Sequence, residues 1–210
     1  MSYESHLQSK KYFDNTASVY QQRSDGLVYD FSSLIFQRRN KIVKMFIPLT
    51  GKKEITIKYP KALSPKVLKS GIATGPLWGG NITLLTNRLG TADYLDTDGV
   101  ILFLEDLDEY LYAFERMLVQ MRTAGLFDHI KGLIIGELDE FKDQEIPFER
   151  NTDQIVMDIC GDLDIPIVSN FPCGHGTYQA TLPISVNAEL NTNDNNPYLT
   201  LLEPAVETNS

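Results

Sequence analysis

Cysteine is scarce in this chain. Cys160 and Cys173 are the only two in 210 residues, which excludes a disulfide framework, and they form no Cys-x-x-Cys pair. The simplest expectation is a reducing, cytoplasmic setting. Histidine is scarce as well, limited to His6, His129 and His175. With no helical His-x-x-x-His and no cysteine cluster there is no metal-ligand set, and neither a metal nor another cofactor is expected. Long apolar runs are missing too. None approaches the roughly 20 residues of a membrane-spanning helix. The opening Ser2-Tyr3-Glu4-Ser5-His6 lacks the apolar centre of a secretion signal. Positive charge is short: 19 Lys and Arg stand against 28 Asp and Glu, for a net charge of -9. Nucleic acid and anionic membranes both call for clustered Lys and Arg, so neither is expected as a partner. No internal repeat or low-complexity tract occurs.

What remains is ordinary globular material, with 42% hydrophobic and 22% charged residues, enough for one sizeable domain or one plus a partial one. Residues 1–30 are polar and weakly patterned, and read as a peripheral segment. Residues 31–49 predict a helix followed by a short extended piece. Ile55-Thr56-Ile57 reads as a strand, and Pro60 and Pro65 bracket a loop. Gly75, Pro76, Gly79 and Gly80 predict a turn-rich stretch. Asn81 then caps a helix over Ile82 to Leu89, closed by Gly90.

Val100 to Leu104 is a continuous apolar run, as in a strand covered on both faces. Asp108 is predicted to start a helix with Leu111, Phe114, Leu118 and Met121 facing the core, closed by Gly125. Gly132 to Gly136 predicts a second buried strand, Glu149 to Ile159 a helix, and Ile165 to Val168 a third strand. Leu182, Ile184, Val186, Ala188 and Leu190 alternate strictly, the sign of a half-exposed strand. Asn191 to Asn196 is a turn, and Tyr198 to Leu202 returns as the hairpin partner. The fold class is α/β with a mixed sheet and a terminal β-hairpin.

Chemistry is sought where strands end, because open α/β sheets bind ligands at the carboxyl ends of their strands. Glu105 directly follows the first apolar run. Asp106, Asp108 and Glu109 come next. Asp108 is read as a helix cap, whereas Glu105 is a candidate functional carboxylate. His175 lies between Gly174 and Gly176 after the third strand. Flanking glycines let a backbone turn tightly near a ligand. The alternative is a turn histidine bonded to backbone. His6 and His129 read as surface residues. Gly79-Gly80-Asn81 reads first as a turn with an N-cap and second as an anion cradle. Trp78, the single tryptophan, reads as packing. Cys173 lies too near His175 in sequence to pair with it easily as a nucleophile.

In order, these segments resemble the C-terminal part of the LD-carboxypeptidases. These are serine peptidases that include murein tetrapeptide carboxypeptidases and microcin C immunity proteins. The resemblance runs from Gly75-Pro76-Leu77-Trp78-Gly79-Gly80-Asn81 and Leu89-Gly90-Thr91 through Ile101-Leu102-Phe103-Leu104-Glu105-Asp106, Arg116-Met117-Leu118 and Gly132-Leu133-Ile134-Ile135-Gly136. It ends with Gly174-His175-Gly176 and Thr181-Leu182-Pro183.

It implies a swivelling β/β/α-type domain over residues 71–206, with 1–70 an extension or a remnant of an inter-domain connection. It implies that Glu105 and His175 complete a Ser-His-Glu triad acting on a murein peptide or related small peptide, and that a homodimer is possible. It also implies a Ser on a Gly-x-Ser-Asp turn of a first domain, which here would be largely missing or supplied by a partner domain or chain. Only 70 residues precede Gly71, and Arg23-Ser24-Asp25-Gly26 follows polar Gln21-Gln22 where a nucleophile elbow needs a strand. Ser24 is therefore not assigned, and the chain alone is expected to be inactive. Ser185 stands where the family often has Gly, which should alter a turn. Two other readings are a non-catalytic binding module that keeps the cleft wall, and a microcin-immunity-like hydrolase of peptidyl-nucleotides.

Overall fold

Three apolar runs, each too short and too rich in β-branched residues for a core helix, become neighbouring parallel strands. The computed structural model describes residues 35–38, 41–46, 55–60, 62–92, 96–176, 178–193 and 196–204. Its strands are β1 (Ile35–Arg38), β2 (Lys41–Phe46), β3 (Ile55–Lys58), β4 (Lys66–Lys69), β5 (Ile72–Asn81), β6 (Ile101–Glu105), β7 (Gly132–Glu137), β8 (Ile167–Gly174), β9 (Tyr178–Ala180), β10 (Asn187–Asn191) and β11 (Tyr198–Leu201). Its helices are α1 (Ile82–Asn87), α2 (Leu111–Thr123) and α3 (Thr152–Cys160).

Eight strands form one sheet in the order β3-β11-β10-β5-β6-β7-β8-β4. The run β5-β6-β7-β8 is parallel, and the strands on either side of it are antiparallel. The fold is thus the mixed α/β arrangement expected, with β10 and β11 as the terminal hairpin. A smaller sheet has the order β1-β2-β9.

The large sheet is strongly curled. Its two edge strands, β3 and β4, are consecutive in the chain and joined by residues 59–65. Eight residue steps reach at most roughly 28 Å, whereas seven flat strand spacings would put the edges roughly 34 Å apart. The edges therefore bend toward each other. Just beyond β3, the Tyr59 hydroxyl donates to the Ser169 carbonyl at 3.0 Å on β8, and its ring packs edge-on against Phe171.

The curl encloses one core inside the sheet, where Ile101, Phe103, Ile134 and Val168 meet Ile57, Leu190 and Leu199. The outer face is covered by the helices. Phe114, Leu118 and Met121 of α2 and Ile155 and Val156 of α3 pack against Leu102, Leu104, Leu133 and Ile135. Alternate residues of β6 and β7 thus serve different cores, which is why both read as unbroken apolar runs. Each such side chain contributes about 1.5–3 kcal/mol when fully buried.

Several local expectations are corrected. The described part of 31–49 is the antiparallel pair β1 and β2, not a helix; β-branched Ile42 and Val43 favour that outcome. Gly75 to Gly80 lies inside β5, not in a turn. Gly79 is there for closeness, since a Cβ would strike the Phe103 carbonyl oxygen of β6. Helix α2 begins at Leu111 with Tyr110 at the N-cap. Asp108 sits outside it at φ 62 and pairs with Lys142. Helix α3 begins at Thr152, behind an Asn151–Gln154 capping box, and not at Glu149. Helix α1 ends at Asn87 with Arg88 as its C-cap, ahead of Gly90. Strand β8 begins after Pro166, which lacks an N–H. The alternation from Leu182 makes a strand only from Asn187, because Ser185 turns the chain at φ 66. Among the described residues no helix is long and apolar enough to cross a membrane.

Candidate active site

Strand alternation separates two neighbouring acids. Glu105 ends β6 on the same face as Ile101 and Phe103, whereas Asp106 follows Leu102 and Leu104 to the helix side. Asp106 is only 4% exposed, and both its oxygens are used. Oδ1 accepts from Asn81 Nδ2 and the Leu107 amide, each at 2.8 Å. Oδ2 accepts from the Thr83 hydroxyl at 2.7 Å and the Thr83 amide at 3.2 Å. Asn81 in turn caps α1 by accepting from the Leu84 amide at 3.1 Å. Asp106 therefore ties the start of α1 to the end of β6. The contacts of Asn81 are those of a cap, and Trp78 packs against the helix-side core.

The structure brings Glu105 and His175 together across 70 residues of sequence, with His175 Nδ1 2.7 Å from Glu105 Oε2. Gly174, the last residue of β8, makes the approach possible. Its φ is 105, and a Cβ on it would lie 3.0 Å from that of Glu105. The Glu105 side chain is 13% exposed and that of His175 26%. The carboxylate is thus shielded while the imidazole keeps an open side. A carboxylate only accepts hydrogen bonds, so the pairing places the proton on Nδ1 and leaves the Nε2 lone pair available.

Cys173 is buried beneath this pair. Burial pushes its thiol far above the ordinary range, and the Glu105 and Glu137 charges push it the same way. It is a packed thiol, not a thiolate nucleophile. Burial likewise raises the Tyr59 hydroxyl, with Cys173 and Glu137 adding to the effect. His129 is exposed in the loop before β7, at the amino end of the parallel strands, whereas the pair sits at their carboxyl ends. His6 and Ser24 lie outside the described residues. One acid at this edge was not anticipated. Glu137 ends β7, and its Oε2 accepts from the Tyr178 amide at 3.3 Å, just beyond the His175 turn. The signal was present in the sequence: like Glu105, it follows an apolar strand-length run.

Fold and site together define a mixed α/β domain with a carboxylate–imidazole pair at the carboxyl edge of its parallel strands, an arrangement suited to proton transfer. The chain belongs to the LD-carboxypeptidase family, with residues 74–190 matching the LD-carboxypeptidase C-terminal domain. A Bacillus subtilis protein named "Probable murein peptide carboxypeptidase" is 33% identical over 140 residues, 66% of this chain and 44% of that protein. The microcin C7 self-immunity protein MccF of Escherichia coli is 26% identical over 132 residues, 62% of this chain and 38% of MccF. The crystal structure of muramoyltetrapeptide carboxypeptidase from Oxalobacter formigenes superposes with a TM-score of 0.63 at 31% identity, covering 72% of this chain and 51% of that one. The chain thus spans less than half the length of the curated relatives it matches.

Proposed function

We propose that this chain supplies the Glu and His of a Ser-His-Glu triad in an LD-carboxypeptidase-like serine peptidase, with residues 71–206 as the family-type unit and β3 and β4 completing its sheet. The observation that carries the reading is the 2.7 Å contact between His175 Nδ1 and a shielded Glu105 carboxylate. His175 Nε2 takes the proton of a serine hydroxyl as that oxygen attacks the substrate carbonyl, then returns it to the leaving amine. Glu105 fixes the tautomer and stabilises the imidazolium that forms between those steps. The substrate is a murein tetrapeptide, which loses its terminal D-amino acid. The serine comes from a segment or chain outside this sequence, so the 210-residue protein alone is inactive.

The test is to incubate the chain with a murein tetrapeptide, with and without a Ser-bearing partner segment, and to measure released D-amino acid. Release only with the partner, abolished by His175→Ala, is the expected result. Turnover by the lone chain that survives His175→Ala sinks the assignment. The likeness to MccF favours one further reading, a hydrolase of peptidyl-nucleotides. Competition by an aminoacyl sulfamoyl nucleoside against the tetrapeptide separates the two. Tetrapeptide binding by calorimetry with no hydrolysis under any complementation would point instead to a binding module.

A further inference from the structure

We propose that Glu137 is the positioning residue for His175, its carboxylate holding the turn that presents the imidazole to Glu105. Glu137 and Glu105 end adjacent parallel strands, and Glu137 is in register with Gly174 of β8. From Gly174 the chain leaves the sheet, presents His175 and then passes over the Glu137 side chain. A Cβ on Gly176 would overlap the carboxyl carbon and both oxygens of Glu137, so the bare Cα of this glycine rests on the carboxylate. Two residues later the Tyr178 amide donates to Oε2 at 3.3 Å. At the start of the turn, Gln179 Nε2 donates to the Gly174 carbonyl.

A histidine between two glycines has the freest backbone the chain can offer. Its ring meets Glu105 in one geometry only if that backbone is held elsewhere. The two carboxylates hold different parts of the turn, Glu105 the ring and Glu137 the backbone that carries it. A charge-assisted bond to a backbone amide suits such a tether.

The inference deepens the reading of His175 as a general base, but its test reads ring geometry and not turnover. The full chain is prepared with ring-15N histidine, and the His175 Nδ1 proton is followed by its exchange with solvent. Slow exchange is expected in the wild type and in Glu137→Gln, whose amide oxygen still accepts from Tyr178. Exchange at least tenfold faster is expected in Glu137→Ala, and in Gly176→Ala, where the new methyl displaces the carboxyl group. Far-UV and near-UV circular dichroism establish that each variant is folded. A folded Glu137→Ala or Gly176→Ala with wild-type exchange overturns the proposal, as does a Glu137→Gln that exchanges as fast as Glu137→Ala. If one of the two alanine variants does not fold, the other decides. Failure to find any turnover would leave this result intact, and unchanged exchange would leave the proposed triad intact.

Discussion

Removing the Asp106 carboxylate tests how the site's strand end is held. In Asp106→Ala, Asn81 Nδ2, the Leu107 amide and both Thr83 donors lose their acceptor at once. A net hydrogen bond to a charged group contributes about 1.5–3 kcal/mol. The four share one buried carboxylate whose own desolvation cost disappears with it. Thr83 is exposed and Asn81 and Leu107 are half-buried, so water replaces part of the lost acceptor at each of them. The expected loss is therefore about 3–4 kcal/mol, and not the sum of four bonds.

Asp106→Asn should cost less, for a specific reason. The amide keeps one oxygen for Asn81 and Leu107 and turns its NH2 toward Thr83. The Thr83 hydroxyl can then accept, sending its own proton to Met117 Sδ, 3.4 Å away. Only the Thr83 amide is left unpaired, at about 1–2 kcal/mol. Urea unfolding followed by circular dichroism measures both. With a slope of about 2 kcal/mol per molar urea, the alanine variant's midpoint falls by about 1.5–2 M and the asparagine variant's by about 0.5–1 M. An alanine variant within about 1 kcal/mol of the wild type, or an asparagine variant worse than alanine, would refute the account of Asp106 as the clamp between α1 and β6.

Two further outcomes concern stability. Ser185 holds φ 66, a left-handed conformation that disfavours any side chain, so Ser185→Gly should stabilise the fold by about 0.5–1 kcal/mol after the entropy glycine adds to the unfolded chain; a destabilised variant in the same urea assay refutes this. Burial, with Asp162 adding and Arg122 opposing, pushes the Cys160 thiol up to about 12. The unfolded thiol then loses its proton first, and stability falls as pH rises above roughly 8.5, by up to ~1.4 kcal/mol per pH unit from this group. Cys173 and Tyr59 are raised in the same direction. Urea midpoints should therefore drop between neutral pH and about pH 9.5, and less steeply in Cys160→Ala; a midpoint that rises with pH contradicts this.

The parallel strands β6, β7 and β8 were legible because each is buried on both faces, and that leaves a run no surface strand shows. Glu105 and His175 stood out by position, one directly after such a run and one between glycines. Glu137 obeys the same rule as Glu105, but its apolar run closes on Gly136, a residue that reads as the end of the strand. The ten-residue β5 was not legible. Its glycines look like turn residues, and only the backbone of β6 lying against Gly79 reveals that Gly79 is there for close packing. Edge strands β4 and β9, four and three residues long, carry no periodicity to read. Their pairing is decided by long-range register. The start of α2 was misplaced because an acidic residue before an apolar stripe usually caps a helix. Here the positive φ of Asp108 and its pairing with Lys142 take it out of that role.

The central claim is that Glu105 and His175 work as one catalytic unit with a serine brought from elsewhere. Its most direct test is the rate of terminal D-amino acid release from a murein tetrapeptide by this chain complemented with a Ser-bearing segment, compared with the same mixture carrying Glu105→Ala, His175→Ala, or both. The account predicts a loss of about 10³-fold or more for His175→Ala and no further loss in the double variant, because triad members act as a unit. Release at the wild-type rate without His175, or losses that multiply in the double variant, would contradict it.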